Sequence, residues 1–124
     1  NNEWHSDSVL VFDIPFIDTI KKHDIKLKIR HTVDYDFQNM FVFLEDQKTD
    51  TIEIMLANKN GEWIGKGISD VREVEYIVEK KRVFSNEQKH VLKVEQAMRY
   101  GDVDKIEKLH HVLDIGLIVC ENDE

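Results

Sequence analysis

The chain has 124 residues, with 17 Lys and Arg against 25 Asp and Glu, a formal charge of −8. That length suits one domain over 1–124, and a globular chain of this size buries roughly two-thirds of its unfolded surface, so it needs no disulfide or metal staple. The acidic balance argues against sequence-independent nucleic-acid binding, which requires a basic face to neutralise phosphates, and no apolar run reaches the ~20 residues of a membrane-spanning helix.

The opening residues Asn1-Asn2-Glu3-Trp4 hold no initiator Met, no basic stretch and no apolar stretch, so no localisation signal is legible there. Ser8-Val9-Leu10-Val11-Phe12-Asp13 reads as a short strand that ends before Pro15. Ile25-Lys26-Leu27-Lys28-Ile29-Arg30 alternates apolar and basic residues without a fault, which predicts a strand with one wet and one buried face. Met40-Phe41-Val42-Phe43-Leu44 is apolar on both faces and reads as a central strand. Thr51 to Leu56 alternates again, and the polar stretch Glu45 to Asp50 predicts the turn of a hairpin between the two.

Asn58-Lys59-Asn60-Gly61 is a turn cluster. Further strands are expected over Val74 to Glu79, His90 to Gln96 and Val112 to Val119, with a turn at Ser85 to Lys89. Gly116 inside the last strand predicts a bulge or a close neighbouring backbone. Cys120, the one cysteine, is expected as a small buried hydrophobe on that strand. The acidic tail Glu121 to Glu124 is expected to fray. Val103, Ile106, Leu109 or His110, and Leu113 recur at helical spacing, which predicts one short helix near residues 103–111, capped by Asp102. Several short strands with little helix predict an all-β antiparallel sandwich, jelly-roll-like.

Motifs for chemistry are few. Gly61-Glu62-Trp63-Ile64-Gly65-Lys66-Gly67 superficially looks like a phosphate loop, but three residues rather than four precede Gly-Lys and Gly67 stands where the hydroxyl belongs. It is expected to be an ordered loop whose glycines take positive φ while Trp63 packs on the sheet edge. His31, Asp34 and Asp36 have generic spacing and are read as a solvated loop; His110-His111 are adjacent, so their rings diverge and no metal is assigned. No serine sits in a nucleophile-elbow setting, and no cofactor motif is present, so no catalytic residue is assigned and the chain is read as a non-enzyme. Rings near probable loops (Trp4, Tyr35, Phe37, Trp63, Tyr76 and Tyr100) suit either the core or a surface for protein or sugar.

Four stretches in order carry a resemblance. Arg30 to Asn39 matches the pattern R-H-T-x-x-Y-x-[YF]-x-N, and Leu56 to Asp70 matches L-A-x-x-x-G-x-W-x-G-x-G-x-x-D. Glu95 to Arg99 reads E-Q-A-M-R, and Leu113 to Leu117 reads L-D-[VI]-G-L. Together they resemble the gliding motility lipoprotein GldH family of Bacteroidetes. The resemblance implies an exported protein, tethered through a lipidated N-terminal cysteine that this sequence does not include. It implies a place in the cell envelope, periplasm-facing or on the outer membrane, and partners among other envelope proteins of a gliding apparatus linked to type IX secretion. It transfers no catalytic residue. The stretch Tyr100 to His111 departs from the family pattern, being longer and more charged.

Two structural pairings are expected in the shared segments. Asp70 pairs with Arg99 to fix the glycine-rich loop, and Thr32 and Asn39 close the Tyr35 turn through side-chain hydrogen bonds to backbone. The expected function is a non-enzymatic docking module whose partner-binding surface holds Tyr35, Phe37, Trp63 and Lys66. The alternative is a carbohydrate-binding sandwich that uses the same rings on a glycan.

Overall fold

The computed structural model describes residues 2–14, 18–46, 48–85, 90–100 and 104–122. Its elements are β1 (Glu3–His5), β2 (Leu10–Ile14), β3 (Lys22–Thr32), β4 (Asn39–Asp46), β5 (Lys48–Met55), β6 (Val71–Val83), β7 (His90–Gln96), β8 (Arg99–Tyr100), β9 (Asp104–Lys105), β10 (Lys108–His110) and β11 (Val112–Glu121). One sheet has the order β11-β3-β6 and the other β2-β7-β4-β5, and the ribbons β1-β10 and β8-β9 complete the set. All the pairings are antiparallel.

The strand order is that of a jelly roll. The chain passes from β10 into β11 through His111 alone, whose φ of 71° bends the backbone between them. If β10 and β11 count as one split final strand, β1 takes the outer position beside it. The sheets then read first-last-third-sixth and second-seventh-fourth-fifth, so successive strands change layer except at the β4-β5 hairpin.

Alternation does the sealing. His23, Ile25, Leu27, Ile29 and His31 of β3 are buried, while Asp24, Lys26, Lys28 and Arg30 face out. Met40, Val42 and Leu44 of β4 and Leu92 and Val94 of β7 meet them in one core. Each such side chain contributes roughly 1.5–3 kcal/mol by leaving water. The wet face of β3 carries ion pairs, Lys26 to Glu75 at 3.8 Å and Arg30 to Asp114 at 2.7 Å. Arg30 and Asp114 are both over 40% exposed, so screening leaves little net gain. Arg30→Ala is expected to cost no more than about 1 kcal/mol in urea unfolding, and a larger loss would show that the pair organises the sheet.

The helix expected near 103–111 is replaced by β9 and β10; Asp102 and Val103 lie outside the described residues. Tertiary hydrogen bonds override the periodicity. Gln96 is buried and donates from Nε2 to the Ile106 carbonyl at 2.6 Å, while its Oε1 accepts from the Met98 amide at 2.9 Å. The Ile106 amide bonds the Met98 carbonyl at 3.1 Å, and β10 pairs with β1, seating Leu109 opposite Trp4. The backbone groups a helix would use internally are thus spent across the chain.

Other expectations shift in detail. The polar stretch 45–50 extends both arms of the β4-β5 hairpin, with pairing continuing to Asp46 and Lys48. The irregularity in β11 lies between Val112 and Asp114; Gly116 pairs regularly with Lys28, and a Cβ there would meet only the Lys28 side chain at 3.7 Å. Cys120 is half-buried, opposite Asp24 in the register with β3. The acids at 123–124 and the turn residues 86–89 lie outside the described residues.

Candidate functional site

The glycine-rich segment between β5 and β6 is a built loop. Asn58 organises its tip: Oδ1 accepts from the Asn60 amide at 2.9 Å and the Glu62 amide at 3.0 Å. Gly61 follows at φ 81°, the left-handed region that favours glycine. The return arm bonds back on both sides. The Ile64 amide reaches the Leu56 carbonyl at 2.9 Å, and Lys66 and Glu73 exchange backbone bonds of 3.1 and 2.8 Å.

Gly61 alone among the loop glycines takes positive φ; Gly65 and Gly67 are needed for a different reason. A Cβ on Gly65 would stand 2.7 Å from the Glu73 carbonyl oxygen, and one on Gly67 would overlap the Val71 carbonyl. The loop lies against β6 at a distance that only a residue without a side chain permits. Its far end is fixed by Arg72, which donates to the carbonyls of Ser69 and Val71 at 2.9 Å each.

Trp63 projects from this loop into a cluster of rings. Its centroid is 4.8 Å from His31 and 6.4 Å from Tyr35; His31 and Tyr35 are 5.8 Å apart, and Phe37 meets Tyr35 edge-on at 5.8 Å. Tyr35 is only 4% exposed, and its hydroxyl donates to the Asn39 carbonyl at 2.7 Å. Burial pushes its phenol well above the usual tyrosine range. His31 is 0% exposed. Its Nδ1 lies 2.8 Å from the Thr32 carbonyl, which can only accept, so Nδ1 carries the proton. Nε2 is then a bare, buried acceptor without a partner. Burial lowers the His31 pKa, the bond to Thr32 opposes that shift, and the Arg72 charge adds to it.

The expected partner surface is therefore corrected at its first residue. Tyr35 is a core ring that joins the turn to β4, because its hydroxyl finds a carbonyl inside. Phe37 and Trp63 are half-buried, and Lys66 is exposed. Thr32 closes the Tyr35 turn as expected, its Oγ1 accepting from the Asp34 amide at 3.2 Å. Asn39 contributes through its carbonyl instead, and its side chain donates to Glu53 at 2.7 Å. No ion pair joins Asp70 to Arg99 among the described residues. The Asp70 carbonyl accepts from Val33 at 2.8 Å, and the Arg99 guanidinium lies 5.9 Å from the Phe43 ring centre and donates to the Met98 carbonyl.

Two residues escaped the sequence reading. With Trp63 turned inward, Ile64, Lys66 and Ile68 point to solvent, and Ile64 is 52% and Ile68 90% exposed. The signal for Ile64 was the alternation itself, since an inward ring at 63 sends its extended neighbours outward; Ile68 stands instead in the turn before β6, where the Val71 amide returns to its carbonyl.

A separate cleft of about 550 Å³ opens at the hairpin end of the sandwich, floored by Leu44, Ile52, Tyr76 and Val78 and rimmed by Asp46, Lys48, Asp50 and Glu79. Arg82 pairs with Asp46 and Glu79, joining the two sheets near that mouth. Among the described residues no group of three or more His, Cys, Asp or Glu is placed to hold a metal ion.

Comparison with known proteins bears on this loop and on the rest of the chain. The sequence profile of the GldH lipoprotein family matches residues 1–119. A gliding motility lipoprotein GldH homolog of Christiangramia forsetii is 34% identical over 98% of this chain and 80% of its own length. The gliding motility lipoprotein GldH of Flavobacterium johnsoniae is 30% identical over 97% of this chain and 79% of its own. No solved structure matches. The chain belongs to the GldH lipoprotein family, a gliding motility family of membrane-anchored envelope proteins.

Proposed function

We propose that this domain is a non-enzymatic docking module of the gliding apparatus and of the secretion machinery linked to it, held at the membrane by an N-terminal lipid. What supports the reading is the display of Ile64 and Ile68 on either side of Lys66, on a loop whose glycines press it against β6. Exposed apolar side chains on a pre-ordered segment lose little entropy on binding, which is how compact interfaces gain affinity. The partners are other envelope proteins of the apparatus.

Affinity capture from envelope extracts of a gliding bacterium tests this. The double variant Ile64→Ser, Ile68→Ser is expected to lose specific partners, each side chain contributing about 1–2 kcal/mol, or roughly ten-fold in affinity. Undiminished capture by the double variant would remove the loop from the interface. The saccharide-binding reading lacks its rings at this surface: Tyr35 is buried and Trp63 is turned toward His31. Binding on a glycan array that survives the double variant would favour a sugar site elsewhere.

A further inference from the structure

The ring beneath the docking loop is a titratable one. Trp63 is the loop's inward anchor, and its nearest ring neighbour is His31 at 4.8 Å. His31 ends the buried row of β3, fully enclosed, with Nδ1 engaged by Thr32 and Nε2 bare. A second proton can enter only at Nε2, which has no acceptor to receive it. A charged imidazolium would then stand fully buried in a site built of rings.

The surrounding charges do not compensate. Across β6, Arg72 stands opposite His31 in the register and is itself a cation. From the turn come Tyr35, whose phenol is neutral, and Asp34 and Asp36, both exposed to solvent. From the loop comes Asp70, exposed, with its carbonyl bonded to Val33. Ahead of β11, His111 offers its carbonyl to Thr32. Of these, Arg72 is the group whose charge acts on the ring, and it acts against protonation. The face of Trp63 offers a cation–π contact, worth about 0.5–2 kcal/mol, which the cost of burying that charge outweighs.

We infer that His31 is a proton-sensitive latch on the 57–70 loop: neutral, it seats Trp63 and holds the Ile64–Ile68 surface in place; protonated, it expels the ring and releases that surface. Arg72 makes the release concerted, because the same guanidinium whose charge acts on His31 also ties down the carbonyls of Ser69 and Val71. The sign follows from linkage. The open form binds the proton with an ordinary affinity near the reference value of 6.5, and the closed form binds it more weakly. Closure is therefore favoured at neutral pH and above, and weakens as pH falls below that value. The consequence for partner grip rests on the docking surface proposed above.

The test uses the whole chain with 5-fluorotryptophan at both tryptophans, Trp4 and Trp63. In fluorine NMR between pH 7.5 and 5, the Trp63 signal is expected to move reversibly toward its solvent-exposed position, with a midpoint below about 6.5, while the Trp4 signal stays put. His31→Phe, which keeps a ring of similar bulk, is expected to abolish the movement. In the unaltered chain the His31 imidazole shifts are expected to titrate with the same midpoint, so the inference stands or falls even if the variant does not fold. A motionless Trp63, a movement that persists in His31→Phe, or Trp4 and Trp63 moving together as in global unfolding would each overturn it. None of these readouts involves a partner. A silent Trp63 with intact capture removes the latch and leaves the docking surface; a titrating Trp63 with capture indifferent to Ile64 and Ile68 does the reverse.

Discussion

Gly67→Ala is expected to lift the 57–70 loop off β6 and to cost about 2–4 kcal/mol of stability, against essentially none for Gly116→Ala. At Gly67 the new methyl would fall on the Val71 carbonyl and close to the Arg72 Cα, both main-chain atoms that cannot rotate away. Relief requires moving the loop, and with it the exchange of backbone bonds between Lys66 and Glu73 and the seat of Trp63. At Gly116 the methyl would touch the end of the Lys28 side chain, which yields freely. The same substitution chemistry thus separates close approach from chain entropy, since both variants restrict the unfolded chain alike. Urea unfolding gives the two stabilities, and hydrogen exchange at the Lys66 and Glu73 amides reports the loop. Protection at those amides in Gly67→Ala equal to that of the parent chain would mean that the loop tolerates a side chain at 67.

This loop shows where the sequence was informative and where it was not. The faultless alternation of Ile25 to Arg30 placed β3 and its faces correctly, because a half-buried strand imposes a period of two on nearly every residue. Met40 to Leu44 was legible as a central strand from its unbroken apolar run, and β4 lies between β7 and β5. The segment near 103–111 misled because Ile106 and Leu109 are three apart and both serve the core. That spacing suits a helix, but it suits equally a broken strand held by Gln96 and β1. Nothing local announces that a glutamine several residues earlier will claim the Ile106 carbonyl. The ring cluster was half legible. Arg30 to Asn39 and Leu56 to Asp70 stood out as shared segments, yet only the fold brings His31, Tyr35 and Trp63 within reach of one another. An aromatic in a turn is ambiguous until the partner of its hydroxyl is known, and for Tyr35 that partner is the Asn39 carbonyl. Ile64 was illegible because a loop's alternation carries meaning only once one residue is known to point in, and Ile68 because its turn belongs to no periodic segment.

Trp4→Ala is expected to be the most damaging single change away from the central sheets, at about 3–5 kcal/mol. The indole is 5% exposed and packs in the core, and its Nε1 donates to the Ser8 carbonyl at 3.0 Å. It is also the inward residue of β1, a strand of three residues whose pairing partner is β10. A ribbon that short has no independent stability in water and persists only by what it buries. Without the indole, Leu109 loses its cross-strand cover, and the bonds from Ser6 to the Glu107 carbonyl and from His111 to the Asn2 carbonyl lose the packing that aligns them. Trp4→Phe keeps most of the volume and forfeits the Nε1 bond, so it is expected to cost about 1–2 kcal/mol. The indole is what joins β1 to the sandwich. Hydrogen exchange at the His111 amide, together with urea unfolding, distinguishes local detachment from global loss. In Trp4→Ala the His111 amide is expected to exchange far faster than the amides of Leu27 and Ile29. Uniform acceleration across all three would mean that β1 is welded into the global folding unit rather than docked upon it.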